Sequence, residues 1–435
     1  MSRTFTIAPG GRCAGTVDIP GDKSISHRAI MLGSIAEGIT KVSGFLEGED
    51  SLATLAAFRA MGVRIERPGP GRVTVHGVGM RGLRAPAAPL DLGNSGTSMR
   101  LLAGLLSAQP FDCELHGDAS LTRRPMRRVT TPLAEMGACI ETAEKGTPPL
   151  RIRGGKHLQG IHYRMPVASA QVKSALLLAG LYAEGETSVS EPAPTRDHTE
   201  RMLAALGCHA RRYNDTVCLQ GGARLRGTYI EVPADISSAA FFMVGAAISP
   251  GSELLLPRIG INPTRIGVLS ILRLMGADIT LTNERMLGGE PVADLRIRGG
   301  QLHGIDIPRE LVALAIDEFP ALFIAAACAE GRTVLSGAEE LRVKESDRIQ
   351  VMADGLRALG VEASPTADGM IIDGGRPYGG ATIDSHGDHR IAMSFAIAGL
   401  RANSAIRIRD CDNVDTSFPG FVRTACAAGI AITQA

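Results

Sequence analysis

The sequence contains no tryptophan, and its aromatic residues amount to only 4%. Few rings are available to stack on bases or sugars, which disfavours a nucleic-acid platform. An excess of charge of either sign is also missing. Lys and Arg total 46 against 45 for Asp and Glu, a net charge of +1, so no global field would hold a polyanion or an anionic membrane. The eight cysteines (Cys13, Cys113, Cys139, Cys208, Cys218, Cys328, Cys411 and Cys426) form no C-x-x-C pair and no Cys/His spacing suited to zinc; most are expected to be buried free thiols. No apolar run approaches the roughly 18 residues of a membrane span. The start, MSRTFTIAPGGRCAG, has no charged segment leading into an apolar one, and a cytoplasmic location is expected. Neither a G-x-G-x-x-G in strand-loop-helix context nor a G-x-x-x-x-G-K-[ST] occurs.

What is present is an ordinary globular composition, 44% hydrophobic and 21% charged over 435 residues, enough for at least two cores. It carries a sixfold repeat. Polar openings each precede an apolar, Ala/Leu-rich stretch: GDKSISHRAIMLGSIA, GNSGTSMRLLAGLLSA, ASAQVKSALLLAGLYA, DISSAAFFMVGAAISP, DEFPALFIAAACAE and GDHRIAMSFAIAGLRA. With Asp22, Asn94, Ser169, Ser237, Asp317 and Asp388 as equivalent starts, the steps are 72, 75, 68, 80 and 71 residues, the mark of a repeated structural unit. After the helix comes a short β-branched segment, as in EGITKVSG or EGRTVLSG, which predicts a strand. A second helix then ends in an apolar residue plus Gly at 62, 137, 207, 276, 360 and 429, where Gly suits a left-handed cap. The pattern predicts a mixed α/β module, six times over, in two lobes of three with a boundary near Pro233; solenoid units are usually shorter.

The helix starts are rich in Ser, Thr and Asn. Such residues either cap the helix or leave its backbone N–H groups for an anion. Lys23, Arg28, Arg100, Arg123, Arg124, Lys173, Lys344, Arg348 and Arg390 lie at these starts or in the elements that follow, which favours pockets for phosphate or carboxylate. Repeat symmetry would bring several starts to one interface. Asp317, Glu345 and Asp347 sit among these cations. Each could serve as a general acid or base, or merely cap a helix (Asp317) or pair with Arg348 (Glu345). His27 and His389 fit neutral hydrogen-bonding roles.

The motifs PGDKSISHRA, LGNSGTSMR, RRPM, VASAQVKSA, DEFP, VKESDRI and GDHRIAM, in this order, resemble the EPSP synthases, members of the enolpyruvyl transferase family. The resemblance spans nearly the whole chain. It implies an α/β fold of two similar domains, each of three βαβαββ repeat units with helices buried inside, the inside-out barrel of enolpyruvyl transferases. One domain would be residues 21–234 and the other 1–20 with 235–435, the active site lying in the cleft between them. The implied reaction is 3-phosphoshikimate 1-carboxyvinyl transfer in the shikimate pathway of aromatic amino acid biosynthesis. The enolpyruvyl group of phosphoenolpyruvate passes to the 5-hydroxyl of shikimate 3-phosphate, and glyphosate competes with phosphoenolpyruvate. The resemblance implies no metal and no organic cofactor. Small anionic substrates, no nucleic acid, no membrane and a monomer are expected.

Carried over by motif, shikimate 3-phosphate would be held by Lys23, Ser24, Arg28, Ser169, Gln171, Arg196, Asp317 and Lys344. Phosphoenolpyruvate would be held by Lys23, Gly96, Arg124, Gln171, Arg348 and Arg390. Asp317, Glu345 and Lys23 would be catalytic, with Asp317 taking the 5-hydroxyl proton and Glu345 moving the proton at C3. Two positions depart from the family pattern. Ala170 stands where other members have a second Ser, a loss that Arg196 could offset, and Thr416 and Ser417 stand where some members place a Lys. The alternatives are a UDP-N-acetylglucosamine enolpyruvyl transferase, a non-catalytic anion-binding repeat protein, and an RNA 3'-end cyclase. The first typically has Lys-Asn at the first motif and a Cys on a Gly-rich loop, whereas Lys23 precedes Ser24 and Cys113 lies in FDCELHG, which reads as a strand. The second would tolerate loss of Asp317 and Glu345. The third needs a basic face that the charge balance does not supply.

Overall fold

The repeat pattern becomes thirteen helices among the described residues, 2–435 of a computed structural model. They are α1 (Lys23–Ile35), α2 (Glu49–Ala60), α3 (Gly96–Leu106), α4 (Arg127–Glu135), α5 (Ala170–Gly180), α6 (His198–Ala205), α7 (Ile236–Ile248), α8 (Gly267–Leu274), α9 (Arg309–Val312), α10 (Phe319–Cys328), α11 (Arg348–Ala358), α12 (His389–Ala398) and α13 (Phe421–Ala427). The leading helices α7 and α10 are apolar on nearly every side, and such a helix can only be stable inside. Thus α7 is buried at every position and α10 from Phe319 to Ala327. Packing here is backbone-close: a Cβ on Gly104 of α3 would stand 2.1 Å from the carbonyl oxygen of Ala175 in α5.

The trailing helices α2, α4, α6, α8, α11 and α13 each stop just before the Gly that the sequence places there. All six of these glycines adopt φ between +88° and +98°, a region open to Gly at little cost. At the first of them Gly62 N–H donates to Arg59 O and Val63 N–H to Phe58 O, which satisfies carbonyls left over at the end of α2. The β-branched segments form the expected strands, for example Glu37–Ser43 and Gly331–Leu335.

Among the described residues six small sheets, five four-stranded and one three-stranded, complete the repeats. Several pairings join residues far apart in sequence. Phe5–Ile7 lies antiparallel between Ile406–Arg409 and Ile432–Gln434, Ala14–Thr16 runs parallel to the strand from Glu253, and Tyr229–Glu231 runs parallel to Lys41–Ser43. Phe5 is held further by a cluster with Phe242, Phe418 and Phe421, ring centroids 5.5–6.4 Å apart.

The chain divides into two compact units, one of Gly21–Val232 with Leu287–Gly289 and one of Met1–Pro20, Pro233–Met286 and Glu290–Ala435. Each has its own hydrophobic core. All eight cysteines are free thiols, Cys139 and Cys426 exposed and Cys328 partly so. Burial pushes the Cys13 and Cys113 thiols up to about 12, so both stay protonated at neutral pH. Among the described residues no helix is long and apolar enough to cross a membrane.

Candidate active site

In the unit beginning at Gly21, α1 is capped by Asp22, whose carboxylate accepts from Ile25 N–H at 2.8 Å. Lys23 and Ser24 are therefore the first two helical residues rather than caps. Lys23 Nζ stands 2.5 Å from Asp50 Oδ2, an acid in the first turn of α2 that is 5% exposed. One turn on, Arg28 donates from Nε to the Thr199 hydroxyl, from one terminal nitrogen to Ser174 Oγ, both at 2.7 Å, and from the other to Ser24 O at 2.9 Å.

Behind them runs a buried chain of hydroxyls. His27 Nδ1 lies 2.8 Å from Thr54 Oγ1, which lies 2.6 Å from Ser98 Oγ, itself 2.6 Å from Ser95 Oγ. Burial, with the charges of Lys23 and Arg28, holds the His27 imidazole well below its ordinary value, so it is neutral and hydrogen-bonding. Ser95, not Asn94, caps α3, accepting from Ser98 N–H. Asn94 instead accepts from Arg124 at 2.7 Å.

Gly96 opens α3, and its missing side chain is what leaves room there. A Cβ would lie 2.9 Å from a terminal nitrogen of Arg100 and 3.1 Å from one of Arg124. Arg100 in turn donates to Gln171 Oε1 at 2.6 Å, and the Gln171 amide to Thr97 Oγ1 at 3.1 Å. A helix N-terminus with two buried guanidinium groups, 4% and 7% exposed, beside its first residue is suited to an anion. Arg100 belongs to this cluster but not to the residues carried over by motif. Of the adjacent pair in RRPM, Arg124 turns inward and Arg123 is exposed.

Ser169 caps α5, and Arg196 lies in the loop before α6. Lys173 corrects the sequence reading. It is fully buried against Glu191 at 3.0 Å and Glu200 at 2.8 Å, so it does not present its ammonium to a ligand. Ala170 is the first residue of α5 and offers no hydroxyl.

The other unit gathers the second set. The residue capping α10 is Glu318, which makes no side-chain cap bond, so Asp317 is not a cap. The Asp317 carboxylate faces Lys344 Nζ and Arg348, each at 3.4 Å, while its carbonyl accepts from Arg390 at 2.9 Å. Glu345 does make the i,i+3 pair, 2.6 Å from Arg348. Arg348, 1% exposed, also binds Asp388 at 2.8 Å. Burial opposes its charge, but Asp388, Glu345 and Asp317 overcome that and raise the guanidinium above its ordinary value.

Burial likewise pushes the Asp388 carboxyl up, yet Arg348 prevails and holds it below the usual range. Asp388 also caps α12 by accepting from Arg390 N–H. It thus fixes Arg348 and Arg390 together, a role its place in GDHRIAM did not reveal. The Thr416 hydroxyl donates to Asn413 O within its own turn, so it supplies no cation in place of the Lys of some family members. Two carboxylates held among three cations can bind polar groups and exchange protons.

The model of the EPSP synthase (3-phosphoshikimate 1-carboxyvinyltransferase) family matches residues 7–425. The 3-phosphoshikimate 1-carboxyvinyltransferase of Methylococcus capsulatus is 69% identical, covering 98% of each chain. That of Nitrosococcus oceani is 67% identical over 98% of this chain and 96% of its own. Among solved structures, an EPSP synthase from Acinetobacter baumannii superposes with a TM-score of 0.89 at 60% identity over the whole of both chains. With a match of this length and identity, and with the six repeats folded as two units of three α/β modules, the chain belongs to the EPSP synthase family.

Proposed function

We infer that this protein transfers the enolpyruvyl group of phosphoenolpyruvate to the 5-hydroxyl of shikimate 3-phosphate, releasing phosphate. The observation that carries this reading is the pairing of two kinds of site. Helix starts lined with cations, α1 with Lys23 and Arg28 and α3 with Arg100 and Arg124 beside Gly96, suit substrates that each bear a phosphate and a carboxylate, and a separate acid cluster at Asp317 and Glu345 suits proton transfer.

In the proposed mechanism, the 5-hydroxyl oxygen forms a bond to C2 of phosphoenolpyruvate while its proton passes to Asp317 and C3 receives a proton from Glu345. The tetrahedral adduct then returns a proton from C3, the C2–O bond to phosphate breaks, and the double bond re-forms. Every step is a proton transfer or a change at carbon–oxygen bonds, and we expect no metal or organic cofactor. Lys23 neutralises charge on the departing phosphate. Lys23, Ser24, Arg28, Ser169, Gln171, Arg196 and Lys344 hold shikimate 3-phosphate. Gly96, Arg124, Gln171, Arg348 and Arg390 hold phosphoenolpyruvate. Arg348 meets Asp317 at 3.4 Å, its longest contact with an acid, and that edge is where a substrate carboxylate would enter.

The residues come from both units, and we propose that both sets serve the one reaction. A cytoplasmic monomer acting on small anions, without nucleic acid or membrane, completes the proposal. The UDP-N-acetylglucosamine alternative is disfavoured by Cys113, which lies buried in the strand Cys113–His116 with its thiol held protonated.

Phosphate release with phosphoenolpyruvate and either shikimate 3-phosphate or UDP-N-acetylglucosamine tests the reading. Release with the first alone is expected, and release with the second alone would refute it. Asp317→Asn keeps size and much hydrogen bonding while removing the proton acceptor, so turnover should drop on the order of 100-fold with normal melting. Parental turnover in that variant would remove Asp317 from the chemistry.

A further inference from the structure

Lys173 is a buried charge that the proposed mechanism leaves unused. Besides Glu191 and Glu200, its ammonium donates to the carbonyl of Thr195 at 3.3 Å. Glu191 reaches the same residue from its other side, accepting from Thr195 N–H at 3.2 Å and from the Thr195 hydroxyl. The segment 191–195 is thus closed on itself around one ammonium, and Arg196 is the next residue. Lys173 is also one turn along α5 from Ser169, whose carbonyl accepts its N–H at 3.1 Å. A second tie runs from Thr199 Oγ1 to Ser174 Oγ at 2.8 Å and on to Arg28.

Buried ion pairs of this kind rarely exceed well-packed apolar residues in stability. What the charges do supply is geometry, because they orient a carbonyl and a carboxylate on the segment that carries Arg196.

We propose that Lys173 is a positioning residue for recognition of the 3-phosphate, acting through Arg196. The inference rests on the reading that Arg196 and Ser169 bind that phosphate. With Ala170 in place of a second Ser, the phosphate has one hydroxyl fewer and depends more on Arg196. An arginine whose backbone is already fixed loses less freedom on binding. The clasp between Lys173, Glu191 and Thr195 therefore presets the distance from Arg196 to the start of α5.

The test is steady-state kinetics on the full chain for Lys173→Met/Glu191→Gln, for Arg196→Met, and for the three changes combined. The clasp variant should raise KM for shikimate 3-phosphate about tenfold, leave KM for phosphoenolpyruvate and kcat within about twofold, and add nothing in the Arg196→Met background. A merely structural role would shift both KM values together, and that result overturns the proposal, as does an unchanged KM for shikimate 3-phosphate or an effect that multiplies with Arg196→Met. If Arg196→Met alone leaves that KM unchanged, it is the underlying reading of the phosphate site that fails. Should the clasp variant not fold, Glu191→Gln alone keeps Glu200 as counter-ion; a rise of about threefold is expected, and a flat KM counts against the proposal.

Discussion

Gly96 shows how much one absent methyl can decide. Its Cβ position lies against terminal nitrogens of Arg100 and Arg124, so Gly96→Ala would push on the two guanidinium groups that frame the proposed phosphoenolpyruvate pocket. Glyphosate is longer than phosphoenolpyruvate and should feel that intrusion more. The ratio of its inhibition constant to the KM of phosphoenolpyruvate is expected to rise at least about tenfold, equivalent to roughly 1.4 kcal/mol. A ratio equal to the parent's would place Gly96 away from the inhibitor. At this scale the sequence is unevenly informative. Gly96, Arg124 and Asp317 stand out because they sit in long motifs. Asp50 does not stand out and Asp388 reads only as a helix start, because their hold on Lys23 and Arg348 spans gaps that no local pattern encodes. Lys173 looks like a ligand cation for the same reason, since its partners Glu191 and Glu200 approach it only after folding.

Helix starts are the element that this fold uses repeatedly, and the start of α1 has a pH signature. The His27 imidazole is buried, neutral and bonded to Thr54. Because its folded value is depressed, the unfolded chain takes up a proton that the folded chain refuses once pH falls below about 6.5. Stability should therefore decline by about 1.4 kcal/mol per pH unit from this group, between that value and the folded one. His27→Asn should flatten the fall of Tm between pH 6.5 and 5 relative to the parent; parallel curves would mean that His27 is protonated in the fold. Element boundaries were largely legible, because apolar runs and terminal glycines report local energetics. The caps are less so: the repeat spacing points to Asn94, Ser237 and Asp317, whereas Ser95, Asp235 and Glu318 hold those positions. Asn94 and Asp317 have each been drawn to an arginine or lysine from a different element.

For the whole molecule, the two units have separate cores and carry different parts of the proposed site. If both serve one reaction, a substrate bound by the native chain should stabilise it. Thermal unfolding should show Tm rising when shikimate 3-phosphate is added, and an unchanged Tm at saturating ligand would argue against binding by the native chain.

The account stands most directly on the claim that the protein protonates C3 of phosphoenolpyruvate and then takes a proton back. In deuterated solvent with both substrates, NMR of the product should show deuterium in its vinyl group, since the transient methyl returns any one of its three hydrogens. Glu345→Gln should slow that incorporation on the order of 100-fold. Product formed with its vinyl hydrogens wholly unexchanged, or incorporation as fast without Glu345 as with it, would contradict the account.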